Sequence, residues 1–184
     1  MGKVLSSIDD SIREFIAAQS VFFVGTAPLA ARGHINVSPK GLDSFRVLTP
    51  TTVAYLDLTG SGVETIAHVR ENRRIILMFC AFQGPPRILR LHGLGTVIEP
   101  HHNEFPELRG HFPEYEGTRA IITVELTRVS TSCGFGVPLL RHEADRDQLH
   151  SWAKGKGPEG LKIYRQEKNR KSIDELPGVS PGPV

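Results

Sequence analysis

Between Val21 and Val129 the sequence repeats one device: a short run of β-branched and aromatic residues, stopped by proline or glycine, then another such run. The runs are Val21–Thr26, His34–Ser38, Phe45–Leu48, Val53–Asp57, Ile75–Phe82, Ile88–Ile98 and Ala120–Val129. Pro28, Gly33, Pro39, Gly41, Pro50, the Gly84-Pro85-Pro86 turn and Pro100 punctuate them. A parallel pair needs a crossover of a dozen or more residues, usually a helix, and most of these links are too short for one. The chain is therefore expected to be mainly β (α+β), an antiparallel barrel or sandwich of about seven strands.

Helices are expected at the margins. Ser7 can cap the first, with Asp10 as its capping-box partner, and Ile8, Ile12, Phe15 and Ile16 then recur at helical spacing until about Gln19. One helix, Glu64–Asn72, interrupts the strands. Asp145–Lys154 and Glu159–Arg170 read as two more, and the tail 178–184, with Pro181 and Pro183, as loose. No break in composition divides residues 1–184, so a single domain is expected.

Composition narrows the partners. Hydrophobic residues make up 39% of the chain and charged ones 23%, enough for a core. The longest apolar runs, Ile75–Cys80 and Val21–Val24, are strand-sized, so no membrane partner is expected. Net charge is only +2, and in the basic stretch Lys154–Lys171 two glutamates dilute the lysines, which reads as a solvated helix face and predicts no nucleic-acid binding. Cys80 and Cys133 are too few for a disulfide framework. With no basic, then apolar, leader at Met1, a cytoplasmic location is expected. Met1–Ser6 fits the myristoylation pattern, which matters only in a eukaryotic host.

Three stretches carry candidate chemistry. In Tyr55–Thr65 a strand runs into Thr59-Gly60-Ser61-Gly62 and straight into a helix, a geometry that can offer backbone N–H groups and the hydroxyls of Thr59, Ser61 and Thr65 to a phosphate. It lacks the Gly-Lys-Ser/Thr of a Walker loop, and a plain helix start would look the same. In the run His34–Gly41, Asn36, Ser38 and Lys40 share one face of a strand, which suits either a polar ligand or a solvated edge. The turn Ser132–Pro138 holds Cys133, read as a buried structural thiol. His101 and His102 have no third spaced ligand, so no metal is expected.

These stretches resemble, in order, the pyridoxamine 5′-phosphate oxidase-related FMN-binding proteins, in particular a subgroup without an assigned substrate. The matching segments are Phe22–Ala27, Asn36–Gly41, Tyr55–Thr65, Met78–Phe82, Pro86–Leu91, Ser132–Pro138 and Asn169–Leu176, nearly the whole chain. The resemblance implies an antiparallel split β-barrel with a few peripheral helices, a homodimer with FMN between subunits, and FMN-dependent oxidoreductase activity on an unidentified small molecule. The alternative is a flavin-binding or stress-related interaction protein without turnover. Carried over by position, the cofactor residues are Asn36, Val37, Ser38, Lys40, Asp57, Thr59, Ser61, Gly62 and Thr65, with Trp152 as a further flavin neighbour. Catalytic residues are not identified. The chain departs from the true oxidases in two places. Glu64-Thr65 replaces their Arg-Lys pair at the helix start, and Tyr164-Arg165-Gln166 stands where they carry a late Arg-x-His; Arg90-Leu91-His92 has those letters but lies mid-chain.

Overall fold

The structure is a computed structural model, and it describes residues 2–180. Its strands are β1 (Val4–Leu5), β2 (Phe22–Thr26), β3 (Asn36–Lys40), β4 (Phe45–Thr49), β5 (Thr52–Leu58), β6 (Arg74–Cys80), β7 (Ile88–Ile98) and β8 (Thr118–Ser132). Its helices are α1 (Asp10–Ala17), α2 (Glu64–Asn72), α3 (Phe105–Arg109) and α4 (Gln148–Lys168). All strand pairs are antiparallel, in the order β3-β2-β6-β7-β8-β5-β4, and β1 lies alongside the far end of β8.

Alternation along the strands sends one set of side chains inward. Phe22, Val24, Tyr55, Leu77, Leu89, Leu91, Ile122 and Val124 form a single core with Ile12 and Ile16 of α1 and Ile66 and Val69 of α2. The opposite face of β5 and β8 packs a smaller cluster, Ala54, Leu56 and Ile121 with Ile98 and Phe112. The sheet curls until the inner face of β3, at one end of the order, meets β5 and α2 near the other. Side chains make the junction: Lys40 Nζ lies 3.2 Å from Asp57 Oδ1, and Asn36 Nδ2 donates to Thr65 Oγ1 at 3.0 Å. This is a split barrel, closed along one seam by side chains.

Several expectations change in detail. The cap of α1 is Asp9, whose Oδ1 accepts from the Ile12 N–H at 2.8 Å; Ser7 lies too far upstream to reach the first free N–H groups. The run expected at His34–Ser38 pairs instead as Asn36–Lys40 and includes Pro39, which an edge strand tolerates because one side of it needs no ladder donors. The two late helices abut in α4 across a break at Gly157 (φ 62°, ψ 175°), with Pro158 opening the second half. The tail expected to be loose is held at its start: Gly178 and Val179 donate to the carbonyls of Arg170 and Asn169, and Ser180 N–H donates to Glu99 Oε1 at 2.9 Å. Residues 181–184 lie outside the described residues.

Candidate functional site

One end of the seam is built on a buried carboxylate. Tyr55 and Asp57 share the inner face of β5, and Asp57 is fully buried. A register shift between Asp57 and Leu58 displaces the facing part of β8, and Arg119 there places Nε 2.5 Å from Asp57 Oδ2. Lys40 holds the other oxygen from β3. Burial alone would raise the Asp57 carboxyl; the charges of Arg119 and then Lys40 outweigh it and hold the group below its ordinary range. Two cations thus surround one anion.

Around this triad the chain is cross-braced. Thr59 Oγ1 donates to the Gly117 carbonyl at 2.7 Å and accepts from Arg165 Nε of α4 at 2.9 Å. Asn169 Nδ2 donates to the Gly60 carbonyl at 2.9 Å. Burial, and next the nearby Arg119, push the Arg165 guanidinium below its ordinary value, with Asp57 and Glu99 partly offsetting them.

The other end of the seam is neutral. Asn36 joins Thr65 and, at 3.4 Å, Thr26 Oγ1, while Ser38 Oγ donates to Asn36 Oδ1 at 3.3 Å. Thr26 Oγ1 also meets His68 Nδ1 at 3.0 Å, and His68 Nε2 is buried without a partner. Burial pushes the His68 imidazole down, so it is the neutral form that packs here.

The structure therefore brings Asn36, Ser38, Lys40, Asp57, Thr59 and Thr65 to one seam. Val37 points away, 65% exposed on the outer face of β3, and Ser61 and Gly62 are exposed in the turn. Gly60 and Gly62 lie outside the left-handed region; a Cβ at Gly62 would meet only the Glu64 carboxylate, the end of a flexible side chain. No side chain caps the start of α2, but Glu64 stands there and accepts from the Ile173 N–H at 3.3 Å. Trp152 packs edge-on against Tyr164, on the same helix α4, ring centroids 5.0 Å apart.

Beside the charged end lies a cleft of about 540 Å³ lined by Lys40, Thr59, Gly60, Leu42, Leu58 and Leu149, among others. That volume and mixed lining suit a small-molecule cofactor. His142 and Asp145 line it too, on an exposed loop and 3.1 Å from each other. Arg119, Arg165 and Asn169 were not among the candidate cofactor residues. Arg165 and Asn169 sit in a stretch that reads as plain helix and Arg119 just before one that reads as strand, and only the register shift and the fold-back of α4 bring them together. Cys133, expected to be buried, is exposed, because its turn projects beyond the end of β8. Glu99, His101 and His102 converge, but both Glu99 oxygens are engaged, by Arg70 and the Ser180 N–H. A carboxylate so neutralised is a poor metal ligand. No helix among the described residues is long and apolar enough to cross a membrane.

A split antiparallel barrel with a polar side-chain seam and an adjoining ligand-sized cleft is the class of protein defined by these features. Residues 8–133 match the family model for pyridoxamine 5′-phosphate oxidase, and the chain belongs to that family. It is 43% identical over 195 residues to the pyridoxamine 5′-phosphate oxidase family protein ustO of Aspergillus flavus, covering 94% of this chain and 76% of that one. The fold is similar to that of HupZ from Group A Streptococcus: TM-score 0.51, 20% identity, 66% of this chain and 91% of that one. A variant of HupZ aligns with a TM-score of 0.52 at 19% identity, over 68% and 99%.

Proposed function

We propose that the protein is an FMN-dependent oxidoreductase acting as a cytoplasmic homodimer on a small molecule. The observation that carries this reading is the seam itself: β3 and β5–α2 residues assigned by family resemblance, far apart in strand order, converge there, and its charged end, through Lys40 and Thr59, borders a cleft. The residues fit the cofactor. Leu42, Leu56 and Leu58 offer apolar surface to a ring, Lys40 offers positive charge, and the uncapped first turn of α2, with Ser61, Gly62 and Thr65, is the place assigned to the phosphate.

When bound, the flavin supplies hydride transfer. The chain supplies position and charge. Asp57, itself anchored by Arg119, fixes the Lys40 ammonium at the edge of the cleft, where it stabilises negative charge on a ligand. Val37 on the outer face of β3 and Ile35 just before that strand, 65% and 77% exposed, need a cover that a second copy of the chain provides. An exposed Cys133 with no disulfide suits a reducing compartment.

A second reading, flavin binding without turnover, is favoured by one observation. The titratable pair His142–Asp145 in the cleft sits on an exposed loop, its side chains 44% and 55% exposed, so the pair is not held in a fixed, water-excluded position as an acid or base would be. The absorbance spectrum of the purified protein tests both. A flavin spectrum, with FMN released on denaturation, is the expected result, and a colourless protein that fails to bind added FMN overturns both. Bleaching by NADPH or NADH, followed by reoxidation with a small-molecule acceptor, separates turnover from storage.

A further inference from the structure

A second cavity, of about 220 Å³, lies on the other side of the Thr59–Gly60 segment, and none of its lining residues also lines the cleft. It is set between the start of β8, the second half of α4 and the returning tail. Four cationic side chains line it: Arg119, Lys162, Arg165 and Arg170. Among the described residues Glu99 is the only carboxylate there, and Arg70 already neutralises it. Arg119 is spent on Asp57. That leaves Lys162, Arg165 and Arg170 with no salt bridge to a carboxylate among the described residues.

Arg119 is 4% exposed, and Arg165 is drawn close enough to feel its charge. Lys162 and Arg170 are exposed at the cavity mouth, so the wall gathers cations that an incoming anion can meet without first breaking a salt bridge. Arg165 is also locked in place, by its bonds to Thr59 Oγ1 and, at 3.2 Å, to the Thr118 carbonyl, so its guanidinium is oriented before any ligand arrives. Guanidinium forks match the oxygens of a phosphate, and a lysine adds a point charge. At about 30 Å³ per water, the cavity has room for roughly seven, enough for a phosphoryl group and its ester oxygen.

We infer that this cavity is a phosphate-recognising site, separate from the cleft, which takes inorganic phosphate or the phosphoryl head of a small monoester. Arg165 faces the anion from the protein side, and the exposed Lys162 and Arg170 add positive charge at the mouth. The site stands on its own charges and does not depend on the cleft taking a flavin.

Isothermal titration of the full chain at constant ionic strength, set with chloride, tests this. Inorganic phosphate and glycerol phosphate are the two probes, each run with and without excess FMN. Saturable binding of at least one probe, unaffected by FMN, is expected. Tighter binding of glycerol phosphate identifies a monoester as the ligand; preference for inorganic phosphate identifies the free ion. The double substitution Lys162→Gln/Arg170→Gln leaves the Arg165 braces intact and should weaken that binding at least tenfold, with FMN affinity within twofold of the parent. Arg165→Lys, which keeps the charge but not the fork, should give a smaller loss. Absence of saturable binding, unchanged affinity in a folded double variant, or competition with FMN would each overturn the inference.

Discussion

The wall of the barrel and its seam are held by different forces. Across β6, β7 and β8 the backbone ladder is continuous save for one register shift at His92/Gly93, and fully buried leucines and isoleucines fill the inner face. Across the seam, two clusters of polar side chains link β3 to β5 and α2. A wall of this kind is stable in proportion to the apolar surface it hides. A seam of this kind is stable only while every polar group keeps its partner. Of these polar groups Lys40 and Thr59 also line the cleft, so the proposed ligand would draw on the charged end of the seam and not on the wall.

The comparison breaks first at Asp57. Asp57→Ala leaves Arg119, nearly fully buried, without its counter-ion, and removal of one partner from a buried pair costs about 3–5 kcal/mol. Urea unfolding should show a loss of that size. A loss under 1 kcal/mol would mean that water reaches the triad. Leu91→Ala in the wall should cost about 2–5 kcal/mol by leaving a cavity. It should leave FMN affinity unchanged in the folded fraction, whereas Asp57→Ala should alter both.

Acid sharpens the difference. The Asp57 carboxyl is lowered in the folded state, so its contribution is complete above its unfolded value of about 3.9 and is lost as pH falls through the lower, folded value. Stability of the parent should fall more steeply below about pH 4 than that of Asp57→Asn, which has no proton to gain there. Equal slopes in the two proteins would show that other carboxylates govern acid unfolding.

The wall was legible in the sequence and the charged seam only partly so. Ile88–Ile98 and Glu64–Asn72 match the expected bounds because alternation and a glycine-rich turn announce them locally. β1 is two residues long and α3 five, too short for any period to register. Asn36, Ser38 and Lys40 were recognisable as a polar face, but their partners are set by curling of the sheet, which no local pattern encodes. Arg119 was hidden for a sharper reason. It faces Asp57 only because the ladder slips at Asp57/Leu58, and a slip of one residue reverses which side chains face inward.

At the neutral end of the seam, Asn36→Ala removes the bonds to Thr65 and Thr26 and leaves those hydroxyls short of a donor, at a cost of about 1–2 kcal/mol. Hydrogen exchange should then report local opening of β3 before the rest of the sheet. Unchanged protection in β3 would show that backbone pairing with β2 alone holds that edge.

The smallest effect on folding is expected at Lys40, where the two demands on the seam separate most cleanly. Its side chain is 21% exposed, and Asp57 keeps Arg119 when the lysine is gone. Lys40→Met should therefore cost only about 1 kcal/mol of stability, below the roughly 1.5–3 kcal/mol of an unshared charged hydrogen bond. Its effect on a ligand need not be small. With Lys40 removed, Asp57 and Arg119 balance, and the cleft edge loses its excess positive charge. A lysine facing the flavin ring should then lower the midpoint potential when lost, because the reduced anion loses its stabiliser. A lysine facing the phosphate should instead weaken FMN far more than riboflavin, by about tenfold for each 1.4 kcal/mol, and leave the potential nearly fixed. Titration of Lys40→Met with both ligands, beside a redox titration, distinguishes these. If affinity and potential are both unchanged while stability drops by the expected amount, Lys40 serves the barrel alone, and the cation that the cleft offers a ligand must come from elsewhere on its rim.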